Sequence, residues 1–359
     1  MNPSTSLSKP RSSARTAVLA LSAAAAATAL WVEVQARRAE RDHPPTGKFL
    51  SIDGVRLHYE VRGEGPPVVL LHGNTVTLAD FHASGLVDQL ARNHRVIVFD
   101  RPGYGHSTRP RDRLWTPSAQ AALVHSALTL LGVERPVVVG HSMGSLVALA
   151  MALDQPAKVA SLVLIGGYYY PAIRVDALLT APVALPVLGD AMRYTVTALS
   201  SRAMLNGLVK GMFAPAEVPP GFFSVMSREM MLRPVQIRAN AEDAAFMMPQ
   251  ARSLSRRYHE LRLPVTLIAG GADKVVDPEA HSRRLHSELP QSQLLIVAHS
   301  GHMAHYVAQD LIGTAIDRTS PALTTSEVQA ARTAPAMTSQ AQSQSTPQFA
   351  SRKEPEPSR

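Results

Sequence analysis

The stretch VVVGHSMGSLVALA, Val137–Ala150, constrains the fold more than any other part of the chain. A β-branched apolar run, the composition of a buried strand, stops at Gly140. A second apolar run resumes after Gly144 and reads as a helix. Ser142 therefore sits between two glycines where a strand turns straight into a helix. So tight a reversal leaves no room for a side chain at Gly140 or Gly144, which would strike neighbouring backbone. It forces the serine into a strained conformation with its hydroxyl clear of the sheet. The helix N-terminus beside it can aim the amide of Met143 at an oxyanion. A bare G-x-S-x-G recurs by chance; its place between strand and helix gives it weight.

A serine hydroxyl is a poor nucleophile unless a base takes its proton, and the base needs an orienting acid. Both follow in order. LIAGGADKVVDP continues a strand and carries Asp273; LLIVAHSGHMAHYVAQD continues the last strand and carries His302. Catalytic groups in open α/β sheets gather at the carboxyl ends of strands. Asp277 is the rival acid, but it precedes Pro278 and reads as a helix N-cap. His299 precedes the loop and His305 falls in the following helix, so both read as structural. His72-Gly73-Asn74 follows an early strand at the same end, and the amide of Asn74 can supply a second oxyanion donor. His72 reads as fixing its loop rather than moving protons, and His141 as a neighbour of the serine.

Strand-like runs alternate with amphipathic stretches over the middle of the chain. FLSID and RLHYEVRG form a hairpin turning at Asp53-Gly54; PPVVLLHG, HRVIVFD, RPVVVG, KVASLVLIGG, LPVTLIAGG and SQLLIVAHSG follow. Helical stretches fall around Leu78–Arg92, Pro117–Leu131 and Pro278–Leu289. This rhythm predicts an α/β fold with a mostly parallel sheet covered by helices on both faces and antiparallel strands at one edge. It fails from Tyr168 to Arg262, an apolar stretch interrupted by prolines, among them Pro171, Pro182, Pro186, Pro215, Pro219 and Pro220, and too long for a bare loop. That stretch reads as a helical cap inserted between strands. Eight of the 13 methionines lie there. They suit either an ordinary cap core or an adaptable apolar pocket. The three tyrosines of GGYYYP stand at the hinge into the cap.

The motifs LLHGN, VIVFDRPGYGHS, VVVGHSMGS, LIAGGADKVVDP and SGHMAHYVAQD together resemble the α/β-hydrolase superfamily over about residues 48–318. The resemblance implies Ser142 as nucleophile, Asp273 as acid, His302 as base and a helical cap over the sheet. It implies that Asp100 and Arg101 organise loops. Epoxide hydrolases and haloalkane dehalogenases of that superfamily carry a carboxylate at the elbow, so Ser142 argues against both activities. What remains is acyl transfer on esters, lactones or amides, or vinylogous C–C cleavage. The expectation is a serine hydrolase acting on a small hydrophobic ester. A C–C hydrolase or perhydrolase on the same residues is the alternative, and a non-catalytic hydrolase-fold binding protein is the alternative of another class. No cofactor and no metal are expected.

The two ends differ from this core. Residues 1–46 hold Lys9, Arg11 and Arg15, the apolar run Thr16–Val32 of 17 residues, then Arg37, Arg38 and Arg41. That is the pattern of a membrane anchor or an export signal, with a weak cleavage site at Val34–Ala36. The anchor is favoured, tethering the chain by the segment Thr16–Val32 and little else. The expected organisation is then 47–167 for the first part of the core, 168–262 for the cap and 263–318 for the second part of the core. Residues 319–359 are rich in Ser, Thr, Gln, Ala and Pro and read as a disordered tail. The 359 residues contain no cysteine, which excludes disulfides, thiolate metal sites and a cysteine nucleophile. The formal charge of +8 comes without a Lys/Arg block of the nucleic-acid type, so no nucleic-acid partner is expected.

Overall fold

Apolar runs whose alternate residues point to opposite faces can be buried on both, and this sheet is built from them. The computed structural model describes residues 11–172 and 175–320. Eight strands form one sheet: β1 Lys48–Ile52, β2 Val55–Arg62, β3 Pro67–Leu71, β4 Arg95–Phe99, β5 Val137–His141, β6 Ser161–Ile165, β7 Val265–Gly270 and β8 Ser292–Val297. Their order is β1-β2-β4-β3-β5-β6-β7-β8. The helices of the N-terminal segment and the first half are α1 Arg11–Asp42, α2 Ala79–Ala83, α3 Leu86–Leu90, α4 Pro117–Leu130 and α5 Met143–Asp154. Between β6 and β7 come α6 Val175–Ala184, α7 Leu188–Arg193, α8 Val196–Phe213, α9 Phe222–Val225, α10 Arg228–Met231 and α11 Pro234–Ser255. The last two are α12 Arg284–Glu288 and α13 Gln309–Thr319. Residues 1–10, which include Lys9, and residues 321–359, which hold nearly all of the expected tail, lie outside the described residues.

The β1–β2 hairpin turns at Asp53-Gly54, both at positive φ (47° and 78°). It joins the sheet edge antiparallel to β4; the remaining pairings are parallel. Val69, Leu71, Ile97, Phe99 and Val138 point to one face and pack against α4 and α5. Val68, Leu70, Val96, Val98 and Val139 point to the other and pack against α2, α3 and α13. All five residues of β3 are buried. Each buried Val or Leu contributes about 1.5–3 kcal/mol, which holds the sheet between its two helical layers.

Two helices depart from the expected form. The stretch read as one helix over Leu78–Arg92 is two, α2 and α3, divided where Gly85 turns left-handed (φ 76°). The stretch Pro278–Leu289 opens with a single π turn over Glu279–Arg283 before α12. The insertion between β6 and β7 is helical, as the loss of strand rhythm predicts. Its core joins Leu205, Val209, Met212, Phe213, Phe222, Met226 and Met231 to Val76 and Met303 of the loops beneath. Tyr168, Tyr169 and Tyr170 pack into the main core instead.

Register aligns the carboxyl ends. Leu71 lies opposite Phe99 and Gly140, His141 opposite Ile165, and Ile165 opposite Ile268. The loops that follow β3, β4, β5, β6 and β7 therefore open side by side, beneath the helical insertion.

Candidate active site

Ser142 stands between β5 and α5 with φ 53° and ψ −119°, a conformation costly for a residue with a Cβ. Two close approaches impose it. A Cβ on Gly140 would lie 2.6 Å from the Gly144 carbonyl oxygen, and one on Gly144 would lie 2.1 Å from that of Leu71. The amide of Ser142 donates to the Ile165 carbonyl at 2.9 Å, pinning the turn to β6. Met143 opens α5, so its amide has no carbonyl one turn back to receive it.

His302 and Asp273 come from the loops after β8 and β7. His302 Nδ1 lies 2.8 Å from Asp273 Oδ2, and both residues are buried. Asp273 Oδ1 accepts the amides of Val275 (2.8 Å) and Val276 (3.0 Å), which fixes which oxygen faces the imidazole. The His302 amide donates to the Met212 carbonyl at 3.0 Å, tying this loop to α8 of the insertion. The neighbouring His141 ring lies 4.9 Å from that of His302. Among the described residues no hydrogen bond joins Ser142 Oγ to His302. Such bonds are often long before substrate binds.

The competing residues have other partners. Asp277 Oδ1 accepts the Glu279 amide at 2.9 Å, the capping role its position predicts. His305 lies in the short 3-10 turn Ala304–Tyr306, fully buried, with Nε2 2.9 Å from Asp80 Oδ2. His299 is exposed at φ 58°. Asp80, His141 and His305 bring three potential ligand atoms within 4.8 Å of one another. The two Asp80 oxygens are taken by His305 and the Tyr306 hydroxyl.

The loop His72–Thr75 passes directly against the serine: a Cβ on Gly73 would lie 3.0 Å from the Ser142 Cβ. Arg101 holds this loop through the carbonyls of His72 (2.8 Å) and Gly73 (3.0 Å) and the Asn74 side-chain oxygen (2.9 Å). The amide of Asn74 donates to no described group. The insertion closes the clamp. Asn240 accepts the Thr75 amide at 2.7 Å, Gln236 donates to the Thr75 carbonyl at 2.8 Å, and Asp243 accepts Arg101 at 2.6 Å and Arg109 at 2.9 Å. Burial alone would raise the Asp243 carboxyl, but Arg109 and Arg101 hold it below the usual range. Gln236, Asn240 and Asp243 escape sequence reading. Their spacing of four and three puts them on one face of α11, a polar stripe that marks a buried contact.

His72 serves as a strut. Its Nδ1 lies 2.7 Å from the Gly73 carbonyl and its Nε2 accepts the Arg101 amide at 2.9 Å, which requires a neutral ring. Full burial, then the charge of Arg101, lowers its pKa to about 4. In the unfolded chain the ring titrates near 6.5, so between pH 6.5 and 4 the unfolded state binds the extra proton. Stability from this group is whole above pH 6.5 and is lost as pH falls towards 4, by about 3 kcal/mol. Denaturant unfolding between pH 8 and 4 checks it: the midpoint should fall steadily below pH 6.5, and a flat profile would refute the strut.

A family model described as alpha/beta hydrolase fold matches residues 66–309, more than half of the chain. An uncharacterized protein of Mycobacterium tuberculosis is 29% identical over 302 residues, covering 78% of this chain and 83% of its own. The 2-hydroxymuconate semialdehyde hydrolase of Pseudomonas putida is 26% identical over 266 residues, covering 74% of this chain and 90% of its own. An α/β-hydrolase-fold protein of Burkholderia ambifaria superposes with a TM-score of 0.64 at 23% identity, over 75% of this chain and 96% of that one. With the elbow, the sheet order and the helical cap in place, the chain belongs to the α/β-hydrolase family.

Proposed function

We propose that the protein is a serine hydrolase that cleaves carboxylic esters with apolar acyl groups through an acyl-enzyme. Ser142 attacks the ester carbonyl. His302 takes its proton and returns it to the leaving alcohol, and Asp273 keeps His302 in the productive tautomer. The amides of Met143 and Asn74 stabilise the oxyanion, and water then releases the acid. The observation that carries this reading is the Asp273–His302 contact, 2.8 Å and buried, at the strand ends where Ser142 is held in its strained turn.

The apolar preference is supported by what surrounds the site. Met303, next to the base, and Val76, next to the oxyanion loop, pack into the Met- and Phe-rich core of the cap. The buried guanidiniums of Arg101 and Arg109 are committed to Asp243 and Glu242. They are therefore not placed to greet an acidic substrate. C–C hydrolysis on the same residues is the second reading, favoured by the similarity to the Pseudomonas putida hydrolase. A panel of p-nitrophenyl acetate, butyrate and octanoate beside a vinylogous 1,5-diketone decides. Turnover should rise from acetate to octanoate, by about tenfold in kcat/KM if two or more further methylenes are buried. Preference for the diketone would transfer the proposal to C–C cleavage. Preference for acetate would reject the apolar pocket.

The same proposal places the protein on a membrane through α1. Among the described residues, the segment Ala14–Asp42 of this helix is long and apolar enough to cross a bilayer by length and composition. An anchor is supported over a cleaved signal because the helix continues past Ala36 as part of the folded protein. Val32 and Ala39 are buried, and Glu40 pairs with Arg233 at 2.6 Å. The tether is thus more than Thr16–Val32: removing residues 1–46 would leave Arg233 without its carboxylate and strip apolar cover from the cap.

A further inference from the structure

The last third of α1 lies on the cap. Val32 and Ala39 are seven residues apart, on one helix face, and are only 5% and 2% exposed. Trp31, Val32 and Ala36 share a crevice with Ala198 and Arg202 of α8, and the Arg202 guanidinium sits 5.0 Å above the Trp31 ring. From Ala14 to Ala27, by contrast, every residue of α1 is exposed. The helix therefore leaves the cap at a fixed place and angle, beside the first turn of α8.

That turn of α8 is apolar on its outside. Val196 and Leu199 flank Ala198 and are 68% and 49% exposed; further along the same helix Met204 and Leu208 are 68% and 50% exposed. Leu30 and Val34 of α1 are 67% and 47% exposed, on the helix face opposite Val32 and Ala39. α8 thus begins beside the place where the exposed apolar part of α1 leaves the cap. Residues 14–30 of α1 would span roughly 25 Å, close to the hydrocarbon thickness of a bilayer. Lys210 on α8 is exposed beside these residues, where anionic headgroups would meet it.

We infer that the outer face of α8, which starts beside the exit of α1 from the cap, rests in the interfacial layer of an anionic bilayer. The cap is then held against the phase that concentrates apolar esters. The occupant is lipid because α8 begins beside the exit of a helix long and apolar enough to cross a bilayer, which brings its exposed apolar side chains to the same phase. This inference rests on α1 as an anchor, and the test separates the two.

The chain has no cysteine, so one introduced thiol takes one environment-sensitive nitrobenzoxadiazole label. Full-length Leu199→Cys and Leu208→Cys proteins are labelled and reconstituted in phosphatidylcholine–phosphatidylglycerol vesicles. A Glu64→Cys control reports from an exposed loop at the opposite, amino end of β3. Labels at 199 and 208 should shift to the blue and lose about threefold in quenching by aqueous iodide relative to position 64. Labels at 199 and 208 that stay as exposed as position 64, while the protein resists carbonate extraction, would overturn the inference and leave the anchor standing. Extraction by carbonate would overturn both. A blue shift that needs no vesicles and grows with protein concentration would make the face a contact between copies and overturn the lipid assignment.

Discussion

Ser142→Ala should abolish ester hydrolysis while leaving the fold intact, with kcat falling by about 10⁴–10⁶. The hydroxyl is the only nucleophile at the elbow, and its removal leaves only the residual rate from binding and the oxyanion donors. Stability should hardly change. The strain at φ 53° belongs to the backbone and is shared by any residue with a Cβ, and the Ser142 amide keeps its bond to Ile165. The measurement is p-nitrophenyl butyrate turnover beside a thermal melt. Wild-type turnover in the variant would remove Ser142 from the mechanism. Lost turnover with a collapsed melt would show a structural role instead.

Asp273→Asn should cost about 10⁴ in kcat, and Asp277→Asn at most about 1 kcal/mol of stability with turnover nearly unchanged. The structure gives the first figure a reason. The amides of Val275 and Val276 demand an oxygen at the Oδ1 position, so the new side-chain NH₂ must face His302. A donor there makes His302 Nδ1 an acceptor and leaves the proton on Nε2, the nitrogen that must receive the proton of Ser142. Asp277 holds only the Glu279 amide at a helix start. Steady-state kinetics of the two variants with matched melts decide, and the reverse ranking would move the acid to Asp277.

Strands β3, β5, β6 and β7 were legible because each is a short apolar run buried on both faces, and the loops that carry Asp273 and His302 were legible because they follow the ends of strands. The break between α2 and α3 was not. LADFHASGLVDQLAR keeps a helical pattern across Gly85, and only the left-handed turn there divides it. The clamp on the loop His72–Thr75 was hidden for a different reason. Gln236, Asn240 and Asp243 bond to residues more than 120 positions away, and no local pattern names such partners. Docking of α1 on the cap was hidden in the same way. The apolar run gives no sign of the Glu40–Arg233 pair, which spans 193 positions.

Covalent trapping tests the proposed chemistry most directly. Full-length protein is incubated with a fluorophosphonate, digested and mapped by mass. One adduct is expected, on Ser142, and none in the His302→Ala protein, where the hydroxyl has lost its base. An active enzyme whose Ser142 remains unmodified, or an adduct on another residue that accounts for the lost activity, would contradict the assignment of Ser142 as the nucleophile.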